Sequence, residues 1–149
     1  MNERKLNKLK EKISQKFRKS KYNKKATNFL TLGMNVNKKI PMLEEDSGSF
    51  MGFVNGYEII MHIAPDDSES PYFALSCLIW VENNFYQIKK TVAIDLKESS
   101  EFMQLLRSCG WYKSFKNFKF ERLLGTFLSV EITFDEVKRD FVIRGVSKI

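Results

Sequence analysis

Aromatic rings and cations alternate along residues 111–122, and this segment has the residue types and spacing best suited to binding chemistry. The cations recur every three residues with rings between them: Lys113, Lys116, Lys119 and Arg122, with Trp111, Phe115 and Phe118 among the rings. Cations at this spacing can follow a phosphate backbone while rings stack on unpaired bases. The pattern equally suits a connector whose Phe side chains fill a core while its Lys side chains face water. The two interpretations are compatible, and we predict a nucleic-acid-binding surface here.

A second group of candidate binding residues lies on one face of two predicted neighbouring strands. The odd-numbered apolar residues from Phe73 to Val81 predict a buried face, so Tyr72 and Trp80 lie on the opposite face. A tight turn brings Phe85 beside Trp80, and Lys89 follows on the same face. Exposed rings near a cation can stack on unpaired bases, at about 1–3 kcal/mol per base. Alternatively, the N-terminal segment or a second subunit covers these rings.

Charge is distributed unevenly along the chain. Residues 1–29 contain eleven Lys and Arg and two Glu, a net charge of +9, whereas residues 30–149 have a net charge of −2. Such a basic arm on a near-neutral body indicates a polyanionic partner, either nucleic acid or, less often, an anionic membrane. The arm residues that we expect to contact phosphates are Lys8, Lys12, Lys16, Arg18 and Lys19.

Residue types that perform catalysis are sparse. The chain has one histidine, His62, and two cysteines, Cys77 and Cys109, with no spacing typical of a zinc site. Phosphate-binding glycine loops and nucleophile elbows are absent from the sequence. The acidic stretch 64–71 predicts a solvated loop. We therefore expect no catalytic residue, no metal site and no cofactor, and predict that the protein is not an enzyme.

The elements that must position these residues follow from hydrophobic periodicity and turn signals. They are strands at 57–63, 73–81 and 86–94, a helix with Asp95 as its N-cap and Gly110 as its stop, and strands at 124–134 and 141–149. This order predicts a mainly β fold: a small five-stranded OB-like barrel with one helix between strands 3 and 4. The competing architecture is an α+β sandwich, in which the same elements form an open sheet under one helix.

The residues before this domain divide into two segments. We predict that residues 1–29 form a basic arm, helical or partly disordered. Residues 30–55 are predicted to form a linker with one or two short strands, and residues 56–149 the domain that follows. Asn55-Gly56 suits either a tight hairpin turn or a bend inside one long first strand. No apolar run approaches about 20 residues and none follows the N-terminal charges, so we expect a cytoplasmic protein without a membrane partner.

Four short segments of the predicted domain resemble a group of phage and mobile-element replication proteins. They are Gly56-Tyr57-Glu58-Ile59-Ile60, the helix end Leu105-Leu106-Arg107-Ser108-Cys109-Gly110, Leu123-Leu124-Gly125-Thr126-Phe127, and Val130-Glu131-Ile132. The resemblance covers about residues 56–149 and implies an OB-fold of the single-stranded-DNA-binding type. The long basic arm departs from that group.

Taken with the charge and the rings, the resemblance predicts a DNA-binding protein of a phage or mobile-element DNA replication or recombination module. Its expected partners are single-stranded DNA or RNA, with a homo-oligomer or a replication protein as a further possibility. The alternative is a non-enzymatic interaction or structural module that uses an exposed aromatic sheet face.

Overall fold

The computed structural model describes residues 25–29, 36–37, 40 and 47–149. Residues 1–24 of the predicted arm, including the five cations named above, lie outside these residues. The described strands are β1 (Lys25–Phe29), β2 (Val36–Asn37), β3 (Ser47–Ile63), β4 (Glu69–Val81), β5 (Asn84–Ala93), β6 (Phe127–Asp135) and β7 (Asp140–Lys148). The helices are α1 (Glu101–Ser108) and two short 3-10 helices, Phe115–Asn117 and Phe120–Leu123. The prediction of a mainly β fold with a helix between the third and fourth long strands is confirmed.

The five long strands form an open antiparallel sheet in the order β5-β4-β3-β6-β7. The short strand β2 pairs with β5 in parallel, and β1 pairs antiparallel with β3. The strands β5 and β7 at the two ends of this order approach each other, with Cα atoms within 8 Å, but the described strands form no ladder between them.

β3 is 17 residues long and changes neighbours along its length. Residues 47–53 pair with β6, and residues 56–60 pair with β1 on the same edge of the strand. The other edge pairs with β4, with a bulge between Val54 and Gly56. Asn55-Gly56 is therefore not a hairpin turn: neither residue has the positive φ that such a turn needs, and both flanks pair with β4 instead. The other possibility, one long strand, is confirmed.

The bounds of β3 and β1 also differ from the predicted segment boundaries. The domain start predicted at residue 56 falls within β3, and the last residues of the predicted linker, 47–55, belong to the sheet. The last five residues of the predicted arm, 25–29, form β1. Residues 47–53 belong to the sheet because they pair with β6, and residues 25–29 because they pair with β3. A strand as short as β1 carries little periodic signal of its own in the sequence.

The core lies on one face of the sheet and is closed at one end by α1 and the segment that follows it. Phe73 of β4 is fully buried, with Phe102 of α1 at 5.6 Å and Phe120 at 5.3 Å between ring centroids. α1 begins five residues later than predicted: Ser100 is the N-cap, and its Oγ accepts a hydrogen bond from the backbone N of Met103 at 3.1 Å. Asp95 instead accepts from the backbone N of Lys97 at 3.0 Å, so its carboxylate caps a preceding turn.

The predicted helix stop is confirmed. Gly110 has a φ of +94°, in the left-handed region that glycine adopts at helix ends. The backbone N of Trp111 then donates to Leu106 O at 2.9 Å, which directs the chain away from the helix axis. The segment 111–126 is called the connector below.

Candidate functional site

Trp80 and Phe85 face each other across the β4–β5 hairpin. They are register partners, their ring centroids are 4.7 Å apart, and the rings meet edge to face. The two turn residues, Glu82 and Asn83, both have positive φ, which suits the twist of a tight hairpin. Trp80 is 47% exposed and Phe85 is half-buried, so the predicted proximity of the two rings is confirmed.

The pair belongs to a longer row of rings that crosses the sheet. Phe53 of β3 lies 6.4 Å from Phe85, and Phe127 at the start of β6 lies 6.2 Å from Phe53, both as ring-centroid distances. Phe53 is only 7% exposed, whereas Phe127 is 60% exposed. We call these four residues the aromatic row. Its two ends are accessible and its middle is covered.

Two members of the aromatic row were missed in the sequence. Phe127 carried a usable signal, because it alternates with Ser129 and Glu131 on the face of β6 opposite the buried Leu128 and Val130. This alternation would have assigned the ring of Phe127 to the exposed face of β6 from the sequence. Phe53 carried no such signal, because β3 is buried on both faces around it.

The rest of the outer face of β4 is not the accessible surface that the sequence suggested. Ala74, Ser76 and Leu78 are at most 2% exposed. Tyr72 is half-buried with its ring 5.8 Å from that of His62, and it lies eight residues from Trp80, roughly 26 Å along the strand. Tyr72 therefore does not join the aromatic row.

Lys89 has an acidic neighbour on the outer face. Its Nζ lies 2.9 Å from Glu58 Oε1, and the two side chains are 42% and 11% exposed. The largely buried carboxylate balances the lysine charge locally. Lys89 therefore offers less positive potential to a phosphate than its position in the sequence suggested.

The rings of the connector mostly fill the core. Phe115 is only 6% exposed and packs against Phe102 at 5.6 Å between centroids. Phe118 and Phe120 also pack against the core. The prediction that Phe115 stacks on bases is therefore wrong, because its ring closes the end of the core. The connector cations remain exposed: Lys113, Lys116, Lys119 and Arg122.

The start of the connector is fixed to α1. Arg107 of α1 donates from Nη1 to Trp111 O at 2.8 Å and to Lys113 O at 2.9 Å. Its Nη2 contacts both carboxylate oxygens of Glu98, at 3.0 and 3.1 Å. These hydrogen bonds fix the backbone of the connector at Trp111 and Lys113, where its first exposed lysine lies.

Trp111 is half-buried and is not an open stacking platform. Its ring packs against Phe118 at 5.2 Å between centroids, and the guanidinium of Arg122 lies 5.4 Å from the ring centroid. A cation at that distance is attracted by the face of the indole. Within the described residues, Trp111 Nε1 is buried without a hydrogen-bond partner. The exposed ring of this surface is Tyr112, which is 75% exposed.

The described residues hold no group of three His, Cys, Asp or Glu side chains placed to bind a metal. Burial raises the pKa of the Cys109 thiol to about 12, and burial, with a smaller contribution from Cys109, raises the pKa of Cys77 further. Both thiols are consequently held protonated and unreactive. Within the same part of the chain, no helix has the length and apolarity needed to span a membrane.

Comparison of the chain with models of protein families, with curated proteins and with solved structures finds no match. The surfaces that the structure assembles are the aromatic row and the exposed cations of the connector.

Proposed function

We propose that this protein binds single-stranded nucleic acid on an OB-like fold and serves a phage or mobile-element replication or recombination module. The strand order supports this fold. The first four long strands along the chain are β3, β4, β5 and β6. After β5 the chain passes through α1 and the connector, and β6 then pairs with β3, the first of the four. The resulting spatial order, β6-β3-β4-β5, is that of a Greek key. A Greek-key sheet of five long strands whose first and last strands in spatial order approach each other is the framework of an OB-fold.

The observation that carries the proposal is the half-exposed ring of Trp80, supported edge-on by Phe85. The face formed by the second and third strands of an OB-fold binds oligonucleotides, and β4 and β5 are the second and third long strands here. A ring held firmly on that face stacks on any unpaired base, because every base has a π-face.

Charge supplies the complementary part of the interaction. The chain carries a net charge of +7, and the basic segment 1–29 alone carries +9. The connector adds exposed cations on an ordered surface, including Lys113, Lys116 and Lys119. Cations that neutralise phosphates release counterions and provide affinity independent of sequence.

Titration of the full chain with fluorescent oligo-dT over a range of salt concentrations tests the proposal. We expect micromolar or tighter affinity at about 50 mM salt, a steep loss of affinity as salt rises, and weaker binding of a duplex of equal length. A lack of measurable binding at about 50 mM salt contradicts the proposal.

The aromatic row also favours a second candidate function, a protein-interaction module. Met51 is 62% exposed and lies on the same face as Phe127, so two large apolar side chains are exposed near one end of the aromatic row. Sedimentation of the nucleic-acid-free protein separates the candidates. Self-association that is lost in Trp80→Ala, with no oligo-dT binding, supports the interaction module.

A further inference from the structure

Phe127 offers a second exposed ring, on the same face of the sheet as Trp80 and at the other end of the aromatic row. We infer that the single strand crosses the sheet along the aromatic row, with one base stacked on Trp80 and another on Phe127. This inference rests on the proposed function and adds to it a path and a residue.

The geometry of the aromatic row defines this path. Successive ring centroids are separated by 4.7, 6.4 and 6.2 Å from Trp80 through Phe85 and Phe53 to Phe127. The exposed fractions are 47% at Trp80 and 60% at Phe127, against 7% at Phe53 between them. From Trp80 on β4 to Phe127 on β6 the path crosses two inter-strand spacings, roughly 10 Å. That length accommodates a few nucleotides, so one strand can place a base on each ring.

Charge complementarity identifies the occupant. The connector that carries the exposed Lys119 and Arg122 leads directly into Phe127. Its last residues are fixed to β3: the backbone N of Gly125 donates to Val54 O at 2.8 Å, and Val54 N donates to Thr126 O at 3.0 Å. The end of the aromatic row at Phe127 is thus rigidly joined to a cationic segment. A polyanion whose bases are unpaired satisfies both surfaces at once.

A path from Trp80 along the connector is less well supported. Among the connector rings, Phe115 is in the core and Trp111 is covered by Phe118 and Arg122. Only Tyr112 presents an exposed ring there. Its substitution therefore serves as the test of the competing path.

The experiment compares oligo-dT affinity of the full chain with that of Trp80→Ala, Phe127→Ala, Phe127→Leu, Phe127→Trp and Tyr112→Ala at one salt concentration. We expect the Kd to rise at least about five-fold in Trp80→Ala, Phe127→Ala and Phe127→Leu. Phe127→Trp retains a stacking ring and should bind within about two-fold of the wild type. Phe127→Leu keeps an apolar side chain at a 60% exposed position, so its fold should be intact by thermal unfolding.

The outcomes separate this inference from the proposed function. If Trp80→Ala weakens binding while Phe127→Ala and Phe127→Leu do not, the function stands and the path across the sheet is wrong. If Tyr112→Ala weakens binding in place of the Phe127 variants, the strand follows the connector and the inference is again wrong. If the wild-type chain does not bind oligo-dT, the proposed function itself fails.

Discussion

The hydroxyl of Ser76 on β4 donates a hydrogen bond to Asn55 Oδ1, at 2.7 Å, inside the bulge of β3. The two residues are 1% and 4% exposed. The bulge changes the phase of β3: Val54 faces the core before it, and Tyr57, three residues later, faces the core after it. Phe53 is thereby left on the outer face, in the aromatic row. The hydrogen bond holds the bulge that places Phe53 there.

Replacement of Ser76 by Ala should destabilise the fold by about 1–3 kcal/mol, because the buried carbonyl of Asn55 loses this donor. Urea unfolding measures the change. Ser70→Ala, at an exposed position of the same strand, is the control and should stay within about 0.5 kcal/mol of the wild type. Equal stability of the two variants would show that the hydrogen bond does not hold the bulge.

Trp80→Ala should cost roughly 1–3 kcal/mol of single-strand binding, because one base no longer has a ring to stack on. Its effect on unfolding should be smaller than that of Ile79→Ala, since Ile79 is fully buried and such truncations typically cost about 2–5 kcal/mol. Oligo-dT titration and urea unfolding of both variants measure the two effects. If Trp80→Ala binds oligo-dT normally but is destabilised as much as Ile79→Ala, the ring of Trp80 acts in the core and not in base stacking.

The connector contains exposed lysines and a buried ring, so its contributions to nucleic-acid binding and to stability can be tested separately. A triple variant with Gln in place of Lys113, Lys116 and Lys119 should bind oligo-dT more weakly, with a shallower salt dependence. Its stability should change little, because all three side chains are exposed. Phe115→Ala should instead destabilise the fold by about 3–5 kcal/mol, since its ring is in the core. Unchanged affinity in the triple variant would restrict the nucleic-acid surface to the aromatic row and the arm.

Substitution of the arm residues Lys8, Lys12, Lys16, Arg18 and Lys19 by Gln in the full chain should reduce both affinity and salt dependence. For each phosphate that the arm no longer neutralises, the slope of log K against log salt should become shallower by about 0.7 for a single strand. Lys97→Gln removes one exposed charge ahead of α1 and is the control. A slope that does not change across the five substitutions would exclude the arm from phosphate binding.

The buried thiols predict how stability depends on pH. Unfolding returns the pKa of Cys109 from about 12 to its ordinary 9.0, and that of Cys77 also falls, so above pH 9 the unfolded state releases protons that the folded state retains. The thiol contribution to stability is therefore complete below about pH 9 and is lost as the pH rises. Urea unfolding at pH 8 and pH 10 should show this loss, and Cys77→Val with Cys109→Ala should reduce it. If the double variant loses as much stability between pH 8 and pH 10 as the wild type does, the loss comes from groups other than the two thiols.

The local elements were predictable because each carries its own periodic signal. The inward residues of β4 and β6 are apolar at every second position, which predicts a strand with one buried face, and the absence of a Cβ allows Gly110 its positive φ. Trp80 and Phe85 could be paired in advance, since a tight hairpin fixes the register of its two strands. The candidate residues found from the sequence are those whose positions depend on contacts between near neighbours in the chain.

The sequence alone determined the charge asymmetry, the mainly β class, the succession of the five long strands along the chain and the aromatic pair at the hairpin, since all of these depend on composition or short spacing. Only the tertiary structure decided that Phe115 closes the core while Phe127 is exposed, and that Phe53 joins Phe127 to Phe85. The position of Phe127 beside Phe53 depends on the pairing of β3 with β6 over residues 47–53, which joins residues about 80 apart in the chain. Such pairing is set by the packing of the whole sheet, which no local pattern encodes.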